Sequence, residues 1–445
     1  RSIGERAFYG CASVQRLVFD QSEENADLRI EASAFYGLQL IEEVILPPAL
    51  VYLGENAFGN TVLLEKVTMN MSREFELKNE AFKKSSSSGN GDSFVRSLVI
   101  GASVRDFNIT GVVGTGLEKI EVDPDNEYFL SENNVLYDKA QTKILFVPES
   151  VVEYTIPSTI KEIGANMFAG KPFTSITIGK GVEVIGDGAF AGCEYLTSII
   201  FEQGGTNKIT IGKNAFRGAK SVETLILPER TETGSVIDEY AFATNSYSGS
   251  GLKITTLTVP EGFTTIGRFA FRGANSLVTL NLPSTIESLG VYEEGDRYQS
   301  SSYSKMVLKN PGVNIVNNCY QLEAINVAEN CEKYGSIDGL LYAKDVETGE
   351  YTSLQAVPIK AKGGKLPQTE EGAEDEYGYI EVPATVDTIC DYAFFFNTAV
   401  REVVFLGEHE TFSIGSNAFY FAETLKKIGL PSGLDVLPEK IFSSC

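Results

Sequence analysis

One phrase recurs along this chain: an aliphatic residue, a glycine, two variable residues, then Ala-Phe. It reads Ile3-Gly4-Glu5-Arg6-Ala7-Phe8, Leu53-Gly54-Glu55-Asn56-Ala57-Phe58, Ile185-Gly186-Asp187-Gly188-Ala189-Phe190, Ile211-Gly212-Lys213-Asn214-Ala215-Phe216 and Ile414-Gly415-Ser416-Asn417-Ala418-Phe419. Looser copies carry Phe35, Phe82, Phe168, Phe242, Phe271 and Phe394, with a last one at Phe442. Within uninterrupted stretches the Phe-to-Phe step stays between 22 and 29 residues. Units this short cannot bury their own apolar edges, whereas stacked neighbours bury them between one another.

Between the phrases lies a short alternating run, often closed by proline: Leu40-Ile41-Glu42-Glu43-Val44-Ile45-Leu46-Pro47, Val222 to Pro228, Leu277 to Pro283 and Leu425 to Pro431. Two apolar residues two apart share one face of a strand, and proline ends it because it has no N–H for a ladder. Successive strands are expected to pair at ~4.8 Å, with each Leu, Ile and Phe turned inward. The glycine after the aliphatic is expected to permit a tight turn or a positive φ. The alanine beside Phe should let neighbouring coils approach closely.

These residues resemble the BspA-like branch of the bacterial leucine-rich-repeat family, whose unit reads roughly L-x-x-I-x-I-P, I-x-x-I-G, x-x-A-F-x-G-C; Ala-Phe-Ala-Gly-Cys at 189–193 matches it closely. The resemblance covers most of 1–100, 161–290 and 388–445. It implies a right-handed superhelix with a parallel sheet on its concave side, in cell-surface or secreted bacterial proteins, often adhesins for host or matrix macromolecules. The expected fold is one α/β, β-dominated repeat solenoid over 1–445, with short helical turns opposite the sheet. The chain opens at Arg1 rather than Met and closes on Cys445 without evident polar caps; solenoid ends carry such caps, so residues are expected to be missing at one or both ends. No signal peptide is present in the given sequence.

Two stretches break the rhythm, 101–160 and 305–388, and they resemble each other. Ile120-Glu121-Val122 and Asn134-Val135-Leu136-Tyr137 align with Ile325-Asn326-Val327 and Gly339-Leu340-Leu341-Tyr342 at a constant offset of 205 residues. Each is expected to add a β-hairpin to a modified coil. Shorter polar insertions run from Ser85 to Asp92, Tyr247 to Gly251, Val291 to Ser304 and Gly363 to Tyr379. Solenoid insertions tend to fall on one face, often the binding face.

Residues able to do chemistry are sparse. His409 is the one histidine; in Gly407-Glu408-His409-Glu410 it is expected in an exposed loop, and no G-x-S-x-G elbow accompanies it. The cysteines lack C-x-x-C spacing, so no zinc site is expected. Gly111-Val112-Val113-Gly114-Thr115-Gly116 lacks the lysine and helix of a phosphate loop. Asp123-Pro124-Asp125-Asn126-Glu127 lacks the spacing of a calcium loop and is expected to be a solvated turn. Glu42, Glu65, Glu118, Glu223 and Glu323 share one column before the strand, beside a mixed column of Glu43, Lys66, Lys119 and Thr224. That pattern suits an exposed ion-pair ladder better than two carboxylates ~5–9 Å apart with one pKa raised by burial. No cofactor is implied.

The formal net charge is −23, which argues against nucleic acid and anionic lipid as partners. No apolar run approaches the ~18 residues of a membrane span. Of six cysteines, Cys11, Cys193, Cys319 and Cys445 occupy one repeat slot, and coils several steps apart lie beyond the ~7 Å Cα limit for a bridge. Cys390 replaces the glycine of its phrase. All six are expected to be small, buried, unpaired thiols.

The sequence points to a non-enzymatic binding or adhesion protein of a bacterial surface or secretome, with a protein or glycan partner. The alternatives are a carbohydrate-active solenoid enzyme and a structural spacer. Strand-middle residues should face outward on the concave side, and they are mixed: Val18, Ile45, Thr68, Val99, Glu121, Thr177, Ile200, Ile226, Thr258 and Asn281. Ligand contact is instead expected at Tyr247, Tyr292, Tyr298 and Tyr303, because tyrosine among Ser and Gly is the composition of adaptable binding loops.

Overall fold

The computed structural model describes residues 1–22, 26–78, 80–83, 95–105, 116–244, 252–290, 315–365 and 377–445. Packing divides the chain into two compact units, Arg1–Tyr154 and Thr155–Cys445. Each is a stack of coils hydrogen-bonded to its neighbours along three sides.

The first side is the alternating run. In the first unit Glu43–Leu46, Lys66–Met69, Ser97–Ile100 and Lys119–Val122 form a parallel ladder in the register Val44, Val67, Leu98, Ile120. Those four residues are buried and the residues between them are not, as strand alternation requires. In the second unit Ser175–Ile178 pairs with Ser198–Phe201 and that strand with Thr224–Ile226. Thr256–Thr258, Thr279–Leu282 and Ala324–Val327 form a further ladder, as do Tyr377–Val382, Glu402–Phe405 and Lys427–Ile428. Strands end before Pro47, Pro157, Pro283 and Pro383.

The second side is a parallel ladder made by the aliphatic residue that opens each Ala-Phe phrase, followed by glycine in most coils and by Glu31, Lys78 and Asp238 in three. Ile3, Ile30, Leu53 and Leu77 follow one another in the first unit. Ile163, Ile185, Ile211, Ile237, Ile266 and Leu289 do so in the second.

The third side carries Ala-Phe, and it corrects the expected helical turns: no helix is among the described elements. Backbone donors here alternate. Ala189, Ala191 and Cys193 donate three residues back, to Gly186, Gly188 and Phe190, while Gly188, Phe190 and Gly192 reach the next coil at Lys213, Ala215 and Arg217. An α-helix needs consecutive N–H groups for its own carbonyls; here every second one belongs to a neighbour. The same alternation makes the turn a ladder, and the phenyl rings stack along it. Ring centroids lie 5.2, 5.0 and 5.4 Å apart from Phe8 through Phe35 and Phe58 to Phe82, and 4.9 and 5.1 Å from Phe190 through Phe216 to Phe242.

The glycine after the aliphatic has a different role from the one expected. Gly54, Gly186 and Gly212 are not in the left-handed region; a Cβ would stand 2.6 Å from Ala32 N, 2.6 Å from Ala165 N and 2.7 Å from Ile185 O of the preceding coil. Glycine is there for close approach. Positive φ falls two residues later, at Asn56, Gly188, Asn214 and Asn417 (53°, 64°, 56° and 54°), and again two residues beyond Phe, at Gly192 and Gly218. Asparagine and glycine tolerate that region best. Phe396 and Phe421 hold it too, at 55° and 57°.

Both irregular stretches contain the expected hairpin. Phe129–Glu132 and Val135–Asp138 pair antiparallel across Asn133-Asn134, and Tyr334–Ile337 and Leu340–Lys344 across Asp338-Gly339. All four turn residues have positive φ, as a type I′ turn requires. Each hairpin takes a third antiparallel strand, Ile144–Phe146 or Tyr351–Ala356. The latter also pairs parallel with Thr388–Ile389, joining the second-side ladder.

Candidate functional site

Outward-facing strand positions form the surface anticipated from the sequence, with one exception. Ile45 and Ile226 are exposed; Thr68, Val99, Thr177 and Ile200 are half-buried. Asn326 Nδ2 donates to Asn281 Oδ1 at 3.0 Å and Asn281 Nδ2 to Thr258 Oγ1 at 3.1 Å, a polar side-chain ladder. The exception is Val18, which is exposed but belongs to no strand. Gln21 Nε2 donates to Phe19 O and Ser22 N to Asp20 Oδ1, local bonds that compete with ladder pairing. A groove of about 590 Å³ opens there, lined by Leu17, Val18, Phe19, Leu40, Ile45 and Leu63 among others.

The acidic column is an exposed ladder. Arg96 meets Glu118 at 3.3 Å and Lys253 meets Glu223 at 3.2 Å, and within the neighbouring mixed column Lys66 meets Glu43 at 2.7 Å. His409 is half-buried rather than exposed, its ring edge-on to Phe412 at 5.0 Å, and its buried Nε2 has no hydrogen-bond partner among the described residues. Among the described residues no three His, Cys, Asp or Glu side chains cluster as metal ligands. No helix there is long and apolar enough to cross a membrane.

The segment 123–127 is a turn, with Asp125 N donating to Asp123 Oδ1 at 2.9 Å, but Asn126 is fully buried rather than solvated. Its Nδ2 donates to Gly101 O and Val104 O, and its Oδ1 accepts from Tyr128 N and Phe129 N, each within 2.9 Å. Asn397 repeats the arrangement, donating to Pro358 O and Ala361 O and accepting from Ala399 N and Val400 N. Both asparagines stitch one coil to the one before it.

All six cysteines are free, and the shared slot is real. Sγ of Cys193, Cys319 and Cys445 donates to Phe168 O, Phe271 O and Phe419 O at 3.2, 3.3 and 3.0 Å, always the carbonyl of the repeat Phe in the preceding coil. Uniform burial is not observed: Cys193, Cys319 and Cys331 are buried, Cys390 is half-buried, and Cys11 and Cys445 are exposed. Cys11 lies in the first coil, where no earlier Phe carbonyl rests against it. Gly111 to Thr115 and the four proposed contact tyrosines, Tyr247, Tyr292, Tyr298 and Tyr303, lie outside the described residues.

A second opening went unread in the sequence. At the corner between the first and second sides, four successive coils contribute Ser158 and Lys161, Lys180 and Glu183, Gly204 to Asn207, and Arg230. A cleft of about 190 Å³ is lined by the first three groups together with Gly181. Glu183 accepts from Lys161 Nζ at 2.8 Å and Asn207 Nδ2 at 2.6 Å, and these bonds hold its carboxyl below the usual range. Glu202 is held low in the same way by Ser158 Oγ and then by the Lys180 N–H. Arg230, only 5% exposed, donates from Nη1 to Lys180 O at 2.7 Å and from Nη2 to Val182 O at 3.2 Å. A Cβ on Gly205 would overlap its guanidinium. The Gly-Lys-Gly and Gly-Gly runs were the available signal, but nothing local ties them to an arginine 25 residues onward.

The family model for the BspA-type leucine-rich-repeat region matches residues 1–99, 146–249, 244–337 and 374–445, with six copies. The chain belongs to the BspA-type leucine-rich-repeat family. The BspA-type match omits 100–145 and 338–373, which hold the first hairpin stack and most of the second. Similar solved structures include the pneumococcal vaccine antigen PcpA (21% identity, TM-score 0.37), of which the chain spans 66% using 74% of its own length. A leucine-rich cell surface protein from Faecalibacterium prausnitzii has 17% identity and a TM-score of 0.31, over 100% of this chain and 68% of that one. A leucine-rich-repeat protein from Bacteroides ovatus has 16% identity and a TM-score of 0.39, over 74% and 83%. No curated protein matches the sequence.

Proposed function

We propose that this chain is a non-enzymatic binding scaffold, exported to a bacterial surface or medium, that engages a protein or glycan partner. Export is the expectation that comes with a BspA-type repeat. The main support is a division of labour within each coil. Inward positions such as Val44, Val67, Leu98 and Ile120 are uniformly aliphatic and buried, while the outward positions between them run Ile45, Thr68, Val99 and Glu121. A backbone bonded to its neighbours on three sides holds those unlike residues in a fixed array, and their identities are free of the core. Such a surface can be specialised for a partner without cost to folding.

Tyr247, Tyr292, Tyr298 and Tyr303 are proposed as further contacts. The test is capture of partners from host extracts together with a glycan array. Replacing 291–304 by a short Gly-Ser linker should weaken binding to the captured partner at least ~10-fold, or ~1.4 kcal/mol, with little change in thermal stability. Undiminished affinity would move the contact to the strand face or the hairpins. Release of reducing ends from plant or host polysaccharides would refute the non-enzymatic reading; no saturable partner from either screen would favour a spacer.

A further inference from the structure

The corner cleft lies in the first coils of the second unit, where the second-side ladder begins at Ile163. Its electrostatics differ from those of the chain around it. The protein carries a net charge of −23, yet Lys161, Lys180 and Arg230 gather here against Glu183 and Glu202.

Arg230 is the unusual member. An arginine this buried is normally matched by a carboxylate. Two backbone carbonyls take its Nη groups, its Nε is buried with no hydrogen-bond partner, and it forms no ion pair among the described residues. Its charge is therefore offset only at a distance, with Glu183 the carboxylate that acts on it. The guanidinium lies against Gly205, a residue without a side chain that also lines the cleft. Field from a poorly solvated charge emerges where the covering protein is thinnest. The Lys180 side chain at the rim is exposed and forms no ion pair among the described residues, with Glu202 acting on it only at a distance.

We propose that this cleft binds a carboxylate-bearing sugar unit, a uronic acid of an acidic glycan. The Lys180 ammonium takes the carboxylate, and the Ser158, Thr206, Asn207 and Glu183 side chains take ring hydroxyls. Of the charged side chains that line the cleft, Lys161 is paired with Glu183, which leaves the Lys180 ammonium to meet a monoanion. Glu183 and Glu202, both held ionised, disfavour a phosphate dianion. The size also fits, since about 190 Å³ admits one sugar ring rather than an extended peptide. The proposal rests on the binding-scaffold reading and narrows it to one site.

Calorimetry of the full chain with a galacturonate trisaccharide, the neutral galactose trisaccharide and inorganic phosphate tests it. Saturable uronate binding is expected, at least ~10-fold tighter than either other probe and weakening with salt. Lys180→Ala should lower uronate affinity at least ~10-fold at unchanged thermal stability, because the residue is exposed. Equal affinity for the neutral sugar, phosphate binding as tight as uronate, full affinity in Lys180→Ala, or no saturable uronate binding would each overturn the proposal. If Lys180→Ala still captures the partner found in host extracts, the scaffold reading stands even where this site falls.

Discussion

Phe190→Ala should be among the most damaging single substitutions in the second unit. The ring is fully buried, stacked face to face on Phe216 at 4.9 Å and 2°, and flanked by Phe168 at 5.1 Å and Phe173 at 6.4 Å. Truncating a buried Phe costs ~3–5 kcal/mol through lost burial and the cavity left behind. Aromatic pairing contributes a further ~0.5–1.5 kcal/mol per contact beyond area. Collapse around the cavity is resisted because the neighbouring coils are pinned by Phe190 N to Ala215 O and Phe168 N to Ala189 O. The expected loss therefore lies in the upper half of that range, ~4–5 kcal/mol. Glu223→Ala is the control: its carboxylate is exposed and pairs with the exposed Lys253, so the loss should stay below ~0.5 kcal/mol. Urea denaturation followed by far-ultraviolet circular dichroism measures both, the chain having no tryptophan. A shift in midpoint at constant slope is the valid readout, since repeat arrays can lose two-state behaviour. Comparable losses in the two variants, or less than ~2 kcal/mol for Phe190→Ala, would refute the assignment of inward and outward columns.

Three further outcomes follow from particular contacts. Asn126→Ala leaves two buried carbonyls and two amides without their partner, so it should cost ~3 kcal/mol or more, and amide exchange at Tyr128 and Phe129 should lose protection; unchanged exchange there would exclude the clamp. Gly186→Ala should cost ~1–3 kcal/mol because its Cβ meets Ala165 N at 2.6 Å, whereas Gly4→Ala, at the same repeat position with nothing within 4 Å, should cost far less. Equal losses by thermal melting would show that dihedral preference, not approach, selects the glycine. Burial pushes the Cys193 and Cys319 thiols up to about 11 and about 12, against ~8.5 in an unfolded chain. The folded state thus holds these protons more tightly, so stability should fall as pH rises above ~8.5 towards 11. A Cys193→Ala/Cys319→Ala variant should lose less over that window, and identical pH profiles would count against buried thiols.

The repeat, its inward columns and the strand register were legible in the sequence because they are local. Alternation with period two places Val44 and Leu46 on one face whatever lies beside them, and proline ends a strand by lacking an N–H. Asn133-Asn134 and Asp338-Gly339 likewise carry the positive φ of their turns within two residues. The turn side was misread for a physical reason: whether it closes into a helix depends on where its N–H groups go. Half of them go to carbonyls that the next coil supplies more than twenty residues later, as from Phe190 to Ala215. The glycine after each aliphatic looked like a dihedral requirement, and only the stacked backbone 2.6 Å from its absent Cβ shows that it is a matter of space. Asn126 reads as a polar turn residue until Gly101 and Val104 are brought beneath it. The cleft is the extreme case, because Ser158, Lys180, Gly205 and Arg230 are each unremarkable where they stand in the chain. Stacking at a fixed spacing makes them neighbours, and no window of sequence can register a buried guanidinium that, among the described residues, forms no ion pair.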